Sequence, residues 1–165
     1  MPYANGMFRI GFGYDSHRFA PGRPLVLGGV RIDHPDGLAG HSDADAVLHA
    51  VTDAVLGAAA AGDIGEHFGD GDRRWAEADS SQFVTEAIRL AADRGFRPVN
   101  CDVTVLAESP NLAPHKRRMA ERIAELLGLG PDAVSVKAKT NERMGFVGRG
   151  EGIAVLAAVL MTAAT

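Results

Sequence analysis

Asp15, His17 and His49 are residues of the types that hold a transition metal, one through a carboxylate oxygen and two through imidazole nitrogens. Asp15 and His17 stand two apart at the end of a stretch that alternates apolar and polar residues from Phe8. On a strand, residues two apart leave the same face, so both side chains can reach one cation. His49 belongs to a helical pattern in which Asp45, His49 and Asp53 follow at four-residue spacing and stack along one side. If strand and helix meet, they supply two histidines and an aspartate, and three protein ligands with one open position are what catalytic zinc needs. Asp45 is then a candidate for the outer carboxylate that orients a metal ligand. Spacing alone does not bring strand and helix together, and His49 equally suits a satisfied core or surface position.

Other clusters carry polar chemistry without naming it. His41 and Ser42 precede the helix, where backbone N–H groups can receive phosphate oxygens. Ser42 also suits a plain helix cap, with Asp43 and Asp45 in the first turn. The segment from Asp63 to Asp72 sets three aspartates and Glu66 among glycines. Carboxylates there accept from hydroxyl-rich ligands, and a solvated turn explains the same composition. An EF-hand fails, because counting from Asp70 puts Arg74 at a ligand position and Trp75 where glycine is required. Thr140 and Glu142, then Phe146 and Arg149 between glycines, fit contacts to an oxyanion or a metal-bound phosphate. Gly11 to Ser16 fails the dinucleotide fingerprint, and no Ser or Cys nucleophile elbow is present.

The elements that must carry these residues read as strands interleaved with three helices. Leu25–Leu27 and Val30–Ile32 flank Gly28-Gly29, a two-residue hairpin signal. The first helix opens at Ser42 and fades after Gly57. A second starts beside Asp79, with Gln82 completing a capping box, and stops at Gly95. A strand alternates from Val99 to Ala107, and a third helix begins in Asn111–Pro114 and ends at Gly128. Val134–Ala138 and Ile153–Met161 are the last strands, the final one apolar enough for burial on both faces. Nothing follows that strand to cover it, which favours burial against another subunit. The fold class is α/β (α+β): one domain over 1–165, a mixed sheet covered by helices, with residues 1–7 a loose extension.

Composition bounds the partners. The chain has 165 residues, a net charge of −4 and one cysteine, Cys101, which excludes a disulfide framework and a cysteine-cluster zinc site. An acidic balance argues against nucleic acid and against a membrane surface. No secretory signal or membrane span is legible, so a cytoplasmic setting is expected. Glycine supplies 20 residues in clusters, marking tight turns or backbone approaching a ligand.

Five motifs come in order: GFGYDSH at 11–17, LGGVRI at 27–32, GHSDADAVLHA at 40–50, GAAAAGDIG at 57–65 and GFVGRGEGIA at 145–154. Together they resemble the 2-C-methyl-D-erythritol 2,4-cyclodiphosphate synthase family of the non-mevalonate isoprenoid pathway, over nearly the whole chain from Arg9 to Leu160. The resemblance implies a homotrimer with active sites between subunits. It also implies cyclisation of a cytidine diphosphate derivative of methylerythritol 2-phosphate, with release of CMP. Carried over by position, Asp15, His17 and His49 would hold zinc, and His41 and Thr140 would stabilise the transition state. Ser42, Asp63, Gly65, Phe68, Asp70 and Asp72 would hold the sugar and methylerythritol parts. Ala107, Pro110, Leu112 and Ala113 would line the cytosine pocket, largely through backbone, and Lys139 and Asn141 would also bind substrate. Glu142 would approach a second ion, magnesium or manganese, while Phe146 and Arg149 complete the phosphate end. The chain departs from the family pattern at Gly69 and Gly71, where proline and threonine are usual, and at Phe12, where histidine is common. The loss of proline and threonine is expected to loosen that loop, with both aspartates kept.

Overall fold

The structure, a computed structural model, describes residues 7–69, 75 and 78–164. Its centre is a five-stranded mixed sheet in the order β4-β1-β7-β5-β6. These strands are β1 (Phe8–Pro21), β4 (Asp36–Leu38), β5 (Phe96–Leu106), β6 (Val134–Lys139) and β7 (Gly152–Ala163). β7 runs antiparallel to both neighbours, β1 and β5, while β5 and β6 run parallel. The parallel pair needs a crossover, supplied by α4 (Lys116–Leu127). The hairpin of β2 (Leu25–Leu27) and β3 (Val30–Ile32) turns through Gly28 and Gly29, both at positive φ, as a tight turn of that length requires.

The helices lie on one face of the sheet only. α1 (Ala46–Ala58) crosses β1 and β7, α3 (Ser81–Asp93) lies beside it, and α4 packs next to α3 over β6. α1 sits unusually close to β1, because the residues beneath it are glycines. A Cβ at Gly11 would lie 1.8 Å from the Ala54 carbonyl oxygen, and one at Gly13 would lie 1.9 Å from that of Ala50. These two glycines serve packing between strand and helix. α1 buries Val47, Leu48, Val51, Val55 and Leu56 completely, and this layer is the main core.

The alternation that identifies β1 points the opposite way from a core strand. Phe8, Ile10, Phe12 and Tyr14 are 63%, 75%, 64% and 51% exposed on the face without helices. On β7, Leu160, Ala158 and Leu156 stand in register beside Ile10, Phe12 and Tyr14 and are half-buried. So β7, expected to be buried on both faces, is fully covered only on its helix side.

Helix starts also differ from expectation. α1 begins at Ala46, capped by Asp45, whose carboxylate accepts from Val47 N and Leu48 N. Ser42 lies outside it, in the loop after β4. α3 begins at Ser81 and α4 at Lys116, later than Asn111–Pro114. Gly128, at positive φ, ends α4. Two one-turn helices are added: α2 (Ile64–His67), in a glycine-rich segment that reads as a loop, and α5 (Gly145–Gly148), between β6 and β7. No helix among the described residues is long and apolar enough to cross a membrane.

Candidate functional site

β1 delivers Asp15 and His17 on the face where Gly11 and Gly13 admit α1, and α1 brings His49 down onto them. Asp15, His17 and His49 form the metal-capable cluster found among the described residues. Asp15 Oδ2 lies 2.9 Å from His17 Nε2 and 3.1 Å from His49 Nδ1. The two ring nitrogens are 3.2 Å apart. Ligands about 2.0–2.1 Å from a tetrahedral metal are separated from one another by about 3.3 Å, so this triangle has the dimensions of one face of such a site. The donor set, two neutral imidazoles and a carboxylate, fits a divalent first-row metal.

Each ring is oriented from behind. His17 Nδ1 donates to the Ala39 carbonyl at 2.5 Å, which leaves Nε2 for the metal point. His49 Nε2 faces Ser80 Oγ at 2.9 Å and Ser42 Oγ at 3.1 Å. Ser80 Oγ in turn donates to Asp43 Oδ1, and the Ser80 amide donates to Asp43 Oδ2 at 3.1 Å. A carboxylate only accepts, so the chain runs from His49 Nε2–H through Ser80 to Asp43, leaving the Nδ1 lone pair toward Asp15 and His17. Phe83 packs against His49, with 5.7 Å between ring centroids, and Phe68 and Trp75 pack on Phe83. Burial opposes ionisation of Asp15, but hydrogen bonds and charge from His17 and His49 hold its carboxyl well below the usual range. His17 is raised above its ordinary value: burial works against the charged ring, and Asp15 and the Ala39 carbonyl outweigh it.

Asp45, His49 and Asp53 share a helix side but do three different jobs. The Asp45 carboxylate is fully buried and accepts from the amides of Gly28, Gly29, Val47 and Leu48. It joins the β2–β3 turn to the start of α1, and the carboxylate behind the His49 ring is that of Asp43. Burial pushes Asp45 up to about 6, against those amide bonds. Asp53 Oδ1 accepts from Ile64 N at 2.7 Å and so anchors α2.

His17 and Phe146 meet in a cleft of about 650 Å³, with Ser16, Arg18, Phe19 and Glu151. Ala107, Pro110, Leu112, Lys139 and Thr140 meet in another of about 240 Å³, with Glu108, Asn111 and Ala138. Thr140 Oγ1 donates to Glu142 Oε1 at 2.9 Å on the exposed turn after β6. Ala113 is exposed near the second cleft, its amide donating to Asn111 Oδ1. Asn141 is fixed by its amide on Glu108. Arg149 is exposed and paired with Glu151 at 2.5 Å. Asp63 caps α2 by accepting from Glu66 N, with Gly65 exposed on the same turn. The Phe68 side chain is buried in the aromatic cluster. His41 is exposed in the loop after β4, and Arg23 donates to the neighbouring Ser42 carbonyl at 2.6 Å. Asp70 and Asp72 lie outside the described residues.

The Asp15–His17–His49 triangle and the 240 Å³ cleft stand on different strands of one chain. The cleft is built at the ends of β5 and β6, two and three inter-strand steps from β1, about 10 and 14 Å. Ser80, Asp43 and Glu108 went unseen in the sequence, since their partners lie 31 to 37 residues away and no spacing rule connects them.

Known proteins resemble this chain along its length. A 2-C-methyl-D-erythritol 2,4-cyclodiphosphate synthase of Symbiobacterium thermophilum is 58% identical over 152 residues, covering 92% of this chain and 97% of the relative. One of Dechloromonas aromatica is 55% identical over 154 residues, covering 93% and 96%. A solved structure of a 2C-methyl-D-erythritol-2,4-cyclodiphosphate synthase superposes with a TM-score of 0.86 at 40% identity, covering 93% of this chain and 99% of that one. The bifunctional IspDF of Campylobacter jejuni gives 0.91 at 42% identity over 95% of this chain, which spans only 42% of that longer protein. Residues 8–162 match the YgbB family, and the chain belongs to it.

Proposed function

We propose that this chain is a cytoplasmic 2-C-methyl-D-erythritol 2,4-cyclodiphosphate synthase, a lyase that cyclises 4-diphosphocytidyl-2-C-methyl-D-erythritol 2-phosphate and releases CMP. The observation that carries the reading is the Asp15–His17–His49 triangle, in a chain 58% identical to an enzyme of that name. An oxygen of the substrate's own 2-phosphate attacks the β-phosphorus as the bond from that phosphorus to the bridging oxygen breaks, and CMP carries that oxygen away. No protein nucleophile is needed, which agrees with the lack of a nucleophile elbow in the sequence. Catalysis then rests on positioning and on charge stabilisation.

Asp15, His17 and His49 would hold zinc, which as a Lewis acid would polarise a phosphate oxygen. Ala39, Ser80 and Asp43 keep the two imidazoles aimed at that point. His41, in the loop before α1, and Thr140 would stabilise the transition state, and Ser42 beside His41 would help hold the substrate. Glu142 would hold the second ion, magnesium or manganese, which would offset charge on the leaving group. Asp63, Gly65 and residues 68–72 would bind the diol, and the 240 Å³ cleft at Ala107–Leu112 would take the cytosine. A Plasmodium falciparum IspF solved as a CDP complex, 29% identical with a TM-score of 0.84, supports a cytidine ligand.

The active unit is a homotrimer. Its support is the apolar outer face of β1 and β7, together with the distance between metal triangle and cleft, which a neighbouring subunit would close. The test is His49→Ala. Zinc content by elemental analysis and product formation should both be lost while the circular dichroism spectrum is kept. Zinc retained at the wild-type ratio would refute the ligand assignment.

A further inference from the structure

After β6 the chain must reverse within a few residues to enter α5. It does so through Glu142 at φ 50°, Arg143 at φ 61° and Gly145 at φ 65°. Two of these left-handed residues are not glycine, and such a conformation persists only where its surroundings hold it. On one side the turn is pressed against α5: a Cβ at Gly148 would lie 2.1 Å from the Arg143 carbonyl carbon. On the other side is Glu108, in the loop that follows β5. Its Oε1 accepts from the Asn141 amide at 2.9 Å and from the Arg143 amide at 3.1 Å. The parallel pairing of β5 with β6 brings it there, since Leu106 is in register with Lys139 and Ala107 N donates to the Lys139 carbonyl. Glu108 also lines the 240 Å³ cleft together with Thr140.

We infer that Glu108 is a positioning residue: its carboxylate holds the left-handed turn so that Thr140 and Glu142 stand fixed at the lip of the cleft. One side chain thus joins the wall of a ligand cleft to the turn that presents a hydroxyl and a carboxylate beside it. The consequence for turnover rests on the function proposed above; the clamp itself does not. Both amides end on a single oxygen, so an acceptor with two lone pairs is what the position needs, and a negative charge is not.

The experiment compares wild type, Glu108→Ala and Glu108→Gln. Amide hydrogen exchange at Asn141 and Arg143 is read in protein without metal or nucleotide. Exchange in Glu108→Ala should quicken by about tenfold at both amides, since the hydrogen bonds that protect them are gone. With the cytidyl diphosphate substrate, kcat should fall by about tenfold or more with a smaller change in KM. Melting temperature and zinc content should stay at wild-type values, the turn being exposed and remote from the core. Glu108→Gln should restore both exchange and kcat to within about twofold, because an amide oxygen accepts the same two bonds. Unchanged exchange or unchanged kcat in the alanine variant would overturn the inference. So would a glutamine variant as impaired as the alanine one. A wild-type protein that does not turn the substrate over would instead defeat the proposed function, and the exchange rates would still decide the clamp.

Discussion

His17 and His49 reach the same point from different elements, and each depends on a partner that the other does not use. His17 leans on a backbone carbonyl and His49 on a buried hydroxyl backed by Asp43. Without metal, the cluster holds itself together through protons, and this gives it a pH signature. Asp15 is depressed from 3.8, so its contribution is present above that value and is lost as pH falls through the folded value. His17 is raised from 6.5, so its contribution is complete below that value and is lost as pH rises through the folded one. The melting temperature of the metal-free protein should therefore fall as pH rises above about 6.5 and through the neutral range, while the zinc-loaded protein stays level because metal replaces the proton. Cys101 adds nothing in that range, as burial pushes its thiol up to about 12. An equal fall in His17→Gln would contradict this account. The three residues of the cluster were legible in the sequence because two of them share a strand face and the third has a helix period. The outer partners were not: Asp45 has the better spacing, yet its carboxylate is consumed by four amides.

At the scale of elements, the glycines of β1 decide how near α1 can come, and so whether His49 reaches Asp15. Gly13→Ala would drive a methyl into the carbonyl of Ala50, the residue after His49, at 1.9 Å. The variant should lose about 3 kcal/mol of stability by denaturant titration and bind zinc more weakly. A stable variant with full zinc affinity would show that the strand and helix can part without cost to the site. The order of the main strands and helices was readable from periodicity. Helix starts were less so, and Ser42 explains why: expected to open α1, it lies before the helix, where its hydroxyl accepts from the Ala44 amide and meets His49 Nε2. The start of α3 was closer to expectation, with Asp79 accepting from Ser81 N at 2.8 Å. A residue diverted to a site misleads a rule built on caps. The short β4, α2 and α5 escaped because segments of three or four residues are too brief to display a period.

For the molecule as a whole, the uncovered face of the sheet is the feature a single chain leaves unexplained. Alternation correctly marked β1 as a strand, but it could not say that the large side chains face away from the helices. The small residues, Gly11 and Gly13, took the inner face because α1 needed the room. The proposed trimer buries that outer face, so Phe12→Glu should sediment as a monomer with a native circular dichroism spectrum and should lose turnover. A fully active trimer in that variant would show that the face is not the contact. The glycine surplus that marked the sequence divides between such packing positions, tight turns and the loops assigned to substrate. The acidic net charge of −4 is compatible with a phosphate-rich substrate when metals and backbone amides do the binding. The most direct test of the central claim is phosphorus NMR of the purified protein incubated with 4-diphosphocytidyl-2-C-methyl-D-erythritol 2-phosphate, zinc and magnesium. A cyclic diphosphate and CMP appearing together in equal amounts is the expected result. Inorganic phosphate or a linear diphosphate as the product would contradict it.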